Sequence, residues 1–555
     1  MSRYQFLCDA QEAASNTQSN DISIVILPPS AGNQDIDSDE ENDDDVLDKD
    51  YMPEEVSGEL EVHIESEHSD CEEEQRTNTP GRERKWRKKE EVCLGAHSQP
   101  SKIAGDFAGK DIYDIFEQFF TDEMIEHIVE QTNLYAVRDK NCKNFNVDGD
   151  EIRKFLGLLL ISGYHNVPSE NDYWSTSEDL EIPIFHKTMS RDTFRTLKRY
   201  MHIADNSNLA ESKVAKVFPL LEMLRERCQV NGTFHEYLSI DESMIPYHGH
   251  HSAKQFIRNK PVRFGYKMWM LCSADGYPYN FELYCGKDDK RALPLGTHVV
   301  MNMLRPVKNR DEHVVFFDNF FTSYDLLSEL ARQNTRACGT VRENRTKKCP
   351  LISKKEMEKK DRGTFDYRSD GSILCTRWHD NNIVTVASNY YGVTPLQKCE
   401  RNVKKVGKTP VSQPYLISMY NKGMGGVDVC DRMLSSYRPR LRSKKWWWNI
   451  FSHMLNLSVV AAYRFYKYVN PTTKVQHKDF RREIARTLVK VHTKRKRQGG
   501  PSVPPPKAIR YDNVNHFLES AAQGRCCVCQ KNTRLQCIKC EKRLHKVCSD
   551  IYHKK

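Results

Sequence analysis

The sequence lacks any long hydrophobic run. Its longest apolar stretch, Phe155 to Ile161, is far shorter than the roughly 20 residues that a helix needs to cross a bilayer. No apolar segment follows Met1 either, because the first residues, SRYQFLCDAQEAAS, are mostly polar. Both absences argue against a secreted or membrane-spanning protein. We therefore expect a soluble intracellular chain with no membrane partner.

Cysteines are scarce over most of the chain. Six of the 18 cysteines fall in the last 30 residues, and the others are scattered over the preceding part of the sequence. A disulfide framework of the secreted type needs an oxidising compartment and closely spaced cysteines throughout a small domain. The C-terminal cluster instead favours metal binding in a reducing compartment.

Basic residues are almost absent from the first 80 positions, which hold 23 Asp and Glu against three Lys and Arg, a net charge of −20. The stretch DIDSDEENDDDVLDKD has too little apolar surface and too much like charge to collapse, so residues 1–105 are predicted to form a disordered acidic tail. The basic run RERKWRKKEE (82–91) predicts a nuclear import signal and hence a nuclear protein. The other 475 residues hold 81 basic and 53 acidic side chains, a net charge of +28. This excess favours a polyanion such as nucleic acid as partner, with a solvated lysine-rich surface as the alternative.

The apolar spacing changes near residue 237. Before it, segments such as DIYDIFEQFFTDEMIEHIVEQTNLYA have the period of amphipathic helices. After it, strands are predicted at 237–249, 263–286, 313–323 and 335–344, with helices at 295–307 and after 323. The Ala-Asp-Gly sequence inside 263–286 indicates a hairpin turn. Strands that alternate with helices in this order predict an α/β domain with a mixed sheet.

Four aspartates lie where a lone carboxylate is hard to explain. Asp241 lies inside the apolar strand SIDESMI, where a buried charge is costly unless it is paired or binds a metal. Asp318 directly follows VVFF, the most apolar strand, and Asp428 and Asp431 share one face of a helix that begins at GGVD. Several carboxylates at one edge of an α/β sheet are what a nucleic-acid enzyme uses to hold two Mg²⁺ ions, roughly 3.5–4 Å apart.

Each of these aspartates also has a structural explanation. An Asp at a strand end is often a turn former, and an Asp in the first turn of a helix often serves as a cap or a dipole partner. Their combination on one order of elements favours the metal site. Glu242 follows Asp241 directly and is predicted to point to the opposite face of the strand, so it is left out of the site.

Two basic clusters accompany the aspartates. The members predicted to contact DNA phosphates are Lys254, Arg258, Lys260, Arg263 and Lys267 in the first, and Arg438, Arg440, Arg442, Lys444 and Lys445 in the second. Solvated basic faces are the alternative for both clusters. The tryptophans that follow the second cluster, in KKWWW, are predicted to lie in the core rather than to stack on bases.

The last thirty residues have the spacing of zinc ligands. The predicted ligands are Cys526, Cys529, Cys537, Cys540, His545, Cys548 and His553. In a cross-braced module one Zn²⁺ takes Cys526, Cys529, His545 and Cys548, and the second takes Cys537, Cys540 and His553. The fourth ligand of the second ion is left open between His516, Cys527 and Asp550. A module with one zinc ion is the alternative.

The motifs SIDESMIPYHG, FFDNFFTS and GGVDVCDRML occur in this order before a Trp-rich helix and the Cys/His module. Together they resemble the piggyBac transposases and their domesticated relatives, from about residue 106 to the end of the sequence. The resemblance places the family's catalytic aspartates on Asp241, Asp318 and Asp428 and a further required acid on Asp431. It implies an α/β fold in which an RNase H-like catalytic domain is interrupted by a β-rich insertion and joined to a helical dimerisation and DNA-binding domain and a C-terminal zinc module.

The resemblance and the element order divide the chain into consecutive segments. The acidic tail covers 1–105, the helical dimerisation and DNA-binding domain 106–236 and 438–492, the catalytic domain 237–345 and 416–437, the insertion domain 346–415, the linker 493–520, and the zinc-binding domain 521–555.

The function that the resemblance implies is cut-and-paste DNA transposition. It implies a DDD-type, metal-dependent endonuclease and strand transferase that nicks transposon ends, excises them through hairpin ends and integrates them at TTAA targets. The expected cofactors are two Mg²⁺ per active site and two Zn²⁺ per chain. The expected partners are double-stranded DNA with terminal inverted repeats, which the zinc module recognises, and a second copy of the chain. Two alternatives are a domesticated DNA-binding protein without transposition activity and a zinc-dependent ubiquitin ligase, which leaves the aspartates unexplained.

Overall fold

The computed structural model describes residues 85–90, 109–257, 260–286, 293–403, 407–490 and 507–554, the single residues 100, 103, 107 and 505, and the backbone of the short strands Ser2–Tyr4, Ile22–Ile26 and Leu60–Ile64. The strand Ile22–Ile26 pairs antiparallel with Lys254–Ile257 at an edge of the main sheet. Most of the predicted acidic tail, the first part of the predicted linker (493–504) and Arg258 lie outside the described residues. The disorder of the tail therefore stays a prediction.

The first part of the described body is helical. Its α-helices are α1 (Ile112–Glu117), α2 (Asp122–Leu134), α3 (Gly149–Ser162), α4 (Pro183–Thr188), α5 (Arg191–Tyr200) and α6 (Phe218–Gln229). Polar side chains begin α2 and α3, where Thr121 and Asp148 accept hydrogen bonds from main-chain N–H groups in the first turns. The apolar run that the sequence contains is the buried middle of α3. The helical period of this region is confirmed.

A mixed sheet follows the helices. Its strands are β1 (Tyr237–Pro246), β2 (Lys254–Ile257), β3 (Phe264–Ser273), β4 (Pro278–Leu283), β5 (Val314–Phe317) and β6 (Arg336–Thr340). Strands β1, β2 and β4 pair antiparallel with β3, while β5 pairs parallel with β1 and β6 parallel with β5. The order is β4–β3–β1–β5–β6, with β2 and β4 sharing the outer edge of β3. Gly276, with φ of 94°, lies in the turn between β3 and β4, so the predicted hairpin is confirmed.

Two helices join the strands of the second half of this sheet, α7 (Leu295–Met303) before β5 and α8 (Tyr324–Arg332) between β5 and β6. A connection through a helix is what parallel neighbouring strands require, since a tight turn joins only antiparallel ones. The prediction of an α/β domain with a mixed sheet is therefore confirmed.

Residues 346–415 are β-rich, as predicted. They contain the helix α9 (Lys354–Met357) and the strands β7 (Phe365–Ser369), β8 (Leu374–His379), β9 (Ile383–Ser388), β10 (Gln397–Val403) and β11 (Gly407–Gln413). The antiparallel strands β7, β8 and β9 continue the main sheet, because β9 pairs with β6. Strands β10 and β11 form a separate antiparallel pair.

Four helices follow: α10 (Tyr415–Gly423), α11 (Gly426–Ser436), α12 (Trp448–Val469) and α13 (His477–Lys490). Trp447 and Trp448 are fully buried, so the prediction that the tryptophans of KKWWW belong to the core is confirmed for these two. Trp446 is half-buried and stacks on His251, with 4.1 Å between the ring centroids. Helix α13 packs closely on α3, since a Cβ atom on Gly157 would lie 2.6 Å from the Val489 side chain. The helices before and after the sheet thus share one core. No described helix has both the length and the apolar character needed to span a membrane.

The C-terminal part is small. It consists of α14 (Lys507–Arg510), the antiparallel strands β12 (Leu518–Arg525) and β13 (Asn532–Cys537), and α15 (Lys546–His553). Its buried core is small and consists of the cluster of Leu544, Tyr552 and three cysteines, Cys526, Cys537 and Cys540, with Ile509 on α14 also buried. So little apolar surface cannot stabilise a fold of this size without a crosslink or a metal.

Candidate active site and metal centres

The parallel pairing of β1 and β5 brings Asp241 and Asp318 side by side. The register aligns Ile240 with Phe317, and the two aspartates are the next residues along each strand. The Asp241 carboxylate accepts a hydrogen bond from the main-chain N–H of Glu242 at 2.8 Å, and the Asp318 carboxylate accepts one from Phe320 at 2.9 Å. Both carboxylates therefore lie at the edge where the parallel strands end, which is where sites collect in α/β sheets.

The electrostatic environment of these two aspartates is short of positive charge. Burial, and then the negative charge of Glu242, raise the pKa of Asp241 well above its ordinary value. The same two causes raise the pKa of Asp318 to about 6. Carboxylates that are held together in this way favour a bound divalent cation, because its charge stabilises their ionised form.

Helix α11 carries the other two aspartates onto the same edge. It begins after Gly425, whose φ is 97°, and its first residue, Gly426, lies directly on the sheet. Asp428 lies in the first turn and is exposed, and Asp431 lies three residues later on the same face. The hydroxyl of Ser243, on β1, donates a hydrogen bond of 2.6 Å to Asp431. This bond fixes α11 against the strand that carries Asp241.

Asp431 is half-buried beside this bond. Burial raises its pKa to about 6, although the hydrogen bond from Ser243 and the charge of Lys260 act in the opposite direction. Since its carboxylate already accepts the Ser243 hydroxyl, Asp431 suits a positioning role for α11, whereas the exposed Asp428 has its carboxylate open to a ligand.

Gly426 allows us to test how tightly α11 must pack. A Cβ atom at this position would lie 2.1 Å from the main-chain oxygen of Ser273, so any side chain must push α11 away from the sheet and move Asp428 with it. We expect Gly426→Ala to reduce the free energy of unfolding by about 1–3 kcal/mol, as overpacking does, and to impair DNA cleavage. Chemical denaturation and a cleavage assay check this. Ser435→Ala, at an exposed position of the same helix, is the control, and equal effects of the two changes would contradict the prediction.

Lys260 is the cation of the acidic cluster. Its Nζ lies 3.2 Å from a carboxylate oxygen of Glu242. Burial acts to lower the pKa of Lys260, but Asp241 and Glu242 outweigh it, and Asp428 adds to their effect, so that the net shift is upward. Lys260 also acts on Asp318 and Asp431. All of these carboxylates therefore surround one ammonium group, which was predicted to contact DNA and which is paired with Glu242 in this structure.

Glu242 is an acidic residue next to Asp241 that the sequence analysis left out of the site and that pairs with Lys260. Burial acts to raise its pKa, but Lys267 and Lys260 outweigh it, so Glu242 has a lowered pKa and stays ionised beside Asp241 and Asp318. Glu242, which was left out of the predicted site, thus acts electrostatically on both aspartates. The pairing of β1 with β5 ends at Ile240, whereas β1 continues to Pro246, so Glu242 lies just beyond the part of β1 that is paired with β5. In the sequence, the nearby Lys260 and Lys267 are the feature that could have indicated an ionised Glu242 in this region.

The carboxylates are spread more widely than a single-ion site. Among the described residues, the groups of three or more ligands whose atoms all lie within 4.8 Å of one another are two Cys/His sets in the C-terminal part.

The first basic cluster divides into buried and exposed members. The Nζ of Lys254 donates to the main-chain oxygens of His248 and Gly249, at 3.2 and 3.0 Å, and burial lowers its pKa to about 8. Lys267 lies 4.0 Å from the ring centroid of Trp269. Of the described members, Arg263 is the one that is fully exposed. Lys254 therefore stabilises a loop in this structure instead of facing a ligand, contrary to its predicted role.

The second basic cluster divides in the same way. The Nζ of Lys445 donates to the main-chain oxygens of Lys198, Arg199 and Met201, at 3.0, 2.5 and 3.2 Å, and so caps the C-terminal end of α5. Burial lowers the pKa of Arg438, although Asp431 opposes this. The members that are exposed are Arg440, Arg442 and Lys444. Phosphate contact thus stays a prediction for these three and for Arg263, whereas Lys445 has a structural role.

Two sets of four Cys and His side chains converge in the C-terminal part. One set is Cys526, Cys529, His545 and Cys548, and the other is His516, Cys537, Cys540 and His553. The Nδ1 of His545 lies 3.2 Å from the Cys529 sulfur, and the Nδ1 of His516 lies 3.5 Å from the sulfurs of Cys537 and Cys540. A tetrahedral zinc site has an edge of about 3.5 Å between sulfur and nitrogen, given Zn–S of about 2.3 Å and Zn–N of about 2.0 Å.

The histidines of both sets are oriented for a metal. The Nε2 atoms of His516 and His545 bond to main-chain oxygens of Ile509 and Asn532, both at 3.0 Å, so these nitrogens carry the proton and leave Nδ1 as a ligand. In His553 the roles are reversed, since Nδ1 bonds to the Arg510 oxygen at 2.9 Å. Its buried Nε2 has no hydrogen-bond partner among the described residues. Such a nitrogen fits a zinc ligand.

The structure identifies the eighth ligand that the sequence left open. It is His516, which lies before the predicted start of the zinc domain at 521, whereas Cys527 is exposed and belongs to neither set. Along the chain the sets alternate, so the cross-braced arrangement is the one observed. In the first set, main-chain N–H groups of Cys529 and His545 outweigh the effect of burial and lower the pKa of Cys526 to about 6, which favours the thiolate that binds metals.

Comparisons with known proteins agree with this geometry. The family model described as Transposase IS4 matches residues 111–463. PiggyBac transposable element-derived protein 3 of Homo sapiens is 37% identical over 452 residues, which cover 79% of this chain and 76% of that protein. The chain belongs to the piggyBac transposase family. The resemblance found in the sequence motifs is thereby confirmed.

Two further members of the family extend the comparison. PiggyBac transposable element-derived protein 2 of Homo sapiens is 33% identical over 450 residues, which cover 79% of this chain and 76% of that protein. A cryo-EM structure of a piggyBac transposase synaptic complex with hairpin DNA matches with a TM-score of 0.58 and 22% identity, over 81% of this chain and 100% of that chain. This structural match shows that the mixed α/β fold with its large sheet is shared with the piggyBac transposase.

Proposed function

We propose that this chain is a cut-and-paste DNA transposase, a metal-dependent endonuclease and strand transferase for double-stranded DNA with terminal inverted repeats. The observation that carries the proposal is the acidic edge of the main sheet. There, Asp241 and Asp318 from neighbouring parallel strands and Asp428 and Asp431 from the helix packed on them surround Lys260. Membership of the piggyBac family supports the reaction class.

The strand order supports an RNase H-like catalytic domain. An antiparallel unit of three strands, β4–β3–β1, is followed by two strands parallel to β1. Asp241 lies on the central strand, Asp318 directly after its parallel neighbour, and Asp428 on the helix that returns to the sheet after the β-rich segment. In this arrangement distant parts of the sequence contribute one carboxylate each to a common edge.

Asp241, Asp318 and Asp428 are the residues that would hold two Mg²⁺ ions, since a set of carboxylate oxygens is what this ion prefers. When bound, the ions supply a nucleophile at neutral pH and stabilise the charge of the leaving oxygen. Asp431 keeps α11, and thus Asp428, in place through Ser243. Lys260 has its ammonium group at the same edge of the sheet. There it can donate a hydrogen bond to a DNA phosphate while it stays paired with Glu242.

The remaining chain binds DNA in this proposal. Arg263, Arg440, Arg442 and Lys444 are exposed and suited to phosphate contact. The C-terminal part binds two Zn²⁺ ions and recognises the terminal repeats, and the active form is a nuclear homodimer. Excision through hairpin ends is supported by the structural neighbour, which is a synaptic complex with hairpin DNA, and integration at TTAA follows from the family resemblance.

A domesticated DNA-binding protein without transposition activity is the second candidate. The names of the human relatives, which are transposable element-derived proteins, favour it. The four acidic positions favour the active enzyme, because a chain that only binds DNA has no use for aspartates such as Asp241 and Asp318, whose pKa is raised by burial and by the charge of Glu242.

Excision in cells separates the two candidates. A reporter gene is interrupted by a cassette that carries DNA cloned from both flanks of the gene for this chain. We expect the wild-type chain to restore the reporter and to leave a single TTAA at the repaired site, because hairpin excision leaves no footprint at such a target. Sequencing of the repaired junctions is the measurement. A chain that binds the flanking DNA but restores no reporter would be the domesticated protein.

A further inference from the structure

Residues 346–415, whose strands β7, β8 and β9 continue the main sheet, are called the β-rich extension below. Residues 85–90 lie along its outer strand, β7. The main-chain N–H of Arg87 donates to the Ser369 oxygen at 2.7 Å, and the N–H of Ser369 donates to the Arg87 oxygen at 2.9 Å. These reciprocal bonds form an antiparallel bridge at the end of β7. The segment therefore adds a short piece of strand to an edge that presents unpaired main-chain groups.

Glu90 anchors the C-terminal end of the segment. Its two carboxylate oxygens accept hydrogen bonds from the main-chain N–H and the hydroxyl of Thr394, both at 2.8 Å. Gly392 provides the space, since a Cβ atom there would lie 2.0 Å from the Glu90 carboxylate. The Glu90 carboxylate thus accepts two charge-assisted hydrogen bonds from Thr394, in a space that the missing side chain of Gly392 leaves open. We regard this as a specific contact, because such bonds depend on geometry.

Trp86 anchors the other end. Its ring packs edge-on against Tyr324 on α8, with 6.0 Å between the ring centroids. The Tyr324 hydroxyl in turn donates to Asp370, at 2.5 Å, just after β7. Trp86 therefore contacts the helix of the main sheet, while Arg87 and Glu90 contact the β-rich extension.

The side chains that the segment does not use as anchors are basic. Trp86 and Glu90 are half-buried, and Lys85, Arg87, Lys88 and Lys89 are exposed. The Nζ of Lys88 lies 3.6 Å from a carboxylate oxygen of Asp366 on β7. We infer that residues 85–90 are a docked strand that holds these four cations as a basic ridge for DNA phosphates on the β-rich extension. This inference rests on the proposed function, because it adds a DNA contact to a DNA-binding protein.

The docked geometry favours DNA over an import receptor as the partner. A receptor that binds an extended peptide needs its main chain and its side chains, but here the main chain of Arg87 pairs with Ser369, and Trp86 and Glu90 are occupied. A phosphate backbone needs only the tips of exposed cations. The ridge therefore suits DNA without any rearrangement, whereas import requires the segment to leave the sheet.

Docking is tested first, by hydrogen exchange of the full chain. We expect the amides of Arg87 and Ser369 to be protected, and Gly392→Ala and Glu90→Ala to accelerate the exchange of both by at least about 10-fold, since each change removes the anchor from one side. Glu358→Ala, at an exposed position of the same extension, is the control. Rapid exchange of both amides in the wild-type chain would overturn the docking. Protection that depends on protein concentration would also overturn it, in favour of a segment exchanged between two copies.

The DNA contact is tested by the salt dependence of binding to a duplex of random sequence. Each phosphate contact contributes about 0.9 to the slope of log affinity against log salt. Replacing Lys85, Arg87, Lys88 and Lys89 by Gln is expected to reduce this slope by roughly 2 to 4, in keeping with up to four lost contacts. The matched control replaces four exposed lysines of the same extension, Lys354, Lys355, Lys359 and Lys360, and should reduce it by less than about 1.

Each outcome decides a separate point. Equal slopes for the ridge variant and the wild type, or an equal loss in the control variant, would overturn the ridge while leaving the proposed function intact. A wild-type chain that binds no duplex would overturn the proposed function itself. Loss of nuclear accumulation by the ridge variant, with an unchanged slope, would identify the segment as an import signal instead.

Discussion

Asp318→Asn is expected to abolish DNA cleavage without unfolding the chain. An amide is a poor ligand for Mg²⁺, so we expect the rate of strand cleavage to fall by about 10³-fold or more, the cost of losing a principal electrostatic group. The amide oxygen keeps the hydrogen bond from the N–H of Phe320, and the change removes a carboxylate whose charged form is disfavoured by burial and by the nearby Glu242. The folded protein without metal should therefore be as stable as the wild type or more stable. Cleavage of an end substrate and thermal unfolding are the measurements.

A second aspartate in the same part of the fold provides the control. Asp325 lies in the first turn of α8, is exposed, and pairs with Lys347 at 2.8 Å away from the acidic cluster. Asp325→Asn makes the same chemical change and should leave cleavage unchanged. If Asp318→Asn cleaves at the wild-type rate, or if both variants lose cleavage equally, the assignment of Asp318 as a metal ligand fails.

The positions of the aspartates could be predicted because their surroundings in the sequence are apolar. A carboxylate inside SIDESMI or directly after VVFF is next to a buried strand, and parallel pairing then places two such carboxylates together. The environment of Glu242 could not be predicted in the same way. Whether a neighbour on the other face of a strand acts on the site depends on where the adjacent strand ends, which local periodicity does not report.

The roles of the basic residues were the least predictable. Lys254 and Lys445 lie in the same basic stretches as their exposed neighbours. The ammonium group of Lys254, however, bonds to the main-chain oxygen of Gly249 in the preceding loop, and that of Lys445 bonds to the main-chain oxygen of Lys198 near the end of α5. A sequence shows that a cation is present, and only the tertiary structure shows which acceptor it meets. The continuation of the main sheet by β7, β8 and β9 and the docking of residues 85–90 were missed for the same reason.

The zinc ligands were predictable from spacing except for His516. That residue lies outside the CxxC pattern, and the other candidates, Cys527 and Asp550, are closer to the pattern in sequence. The structure selects His516 because the Ile509 oxygen holds its ring with Nδ1 towards Cys537 and Cys540. The orienting group of a metal ligand is thus part of the information that spacing lacks.

Cys537→Ser is expected to unfold the C-terminal part and to remove recognition of the terminal repeats. Cys537 is fully buried and ends β13, where it pairs with Leu518 on β12, so loss of the metal at this ligand also releases the only sheet of this region. Apart from its metal-binding cysteines, the buried core here consists of Leu544, Tyr552 and Ile509, and the metal must therefore supply most of the folding free energy.

The expected magnitudes follow from this dependence. Elemental analysis should find two Zn²⁺ in the wild-type chain, because two complete sets of four ligands are present. In the Cys537→Ser chain it should find one or none. Affinity for a duplex that carries the terminal repeats should fall by at least about 10²-fold, towards that for random duplex, since specific complexes are typically 10³–10⁷ times tighter than non-specific ones. Binding to random duplex should persist, because the exposed cations of the body are unchanged.

The adjacent cysteine offers the matched control. Cys527 is exposed and belongs to neither ligand set, so Cys527→Ser should keep both zinc ions and full recognition of the repeats. His516→Ala should behave like Cys537→Ser, because it removes a ligand from the same set, whereas Asp550→Ala should behave like the wild type. A wild-type chain without zinc would contradict the zinc assignment. A Cys537→Ser chain that loses zinc and still binds the repeats with wild-type affinity would show that recognition of the repeats lies in the body of the protein, because the folded C-terminal part would then be dispensable for it.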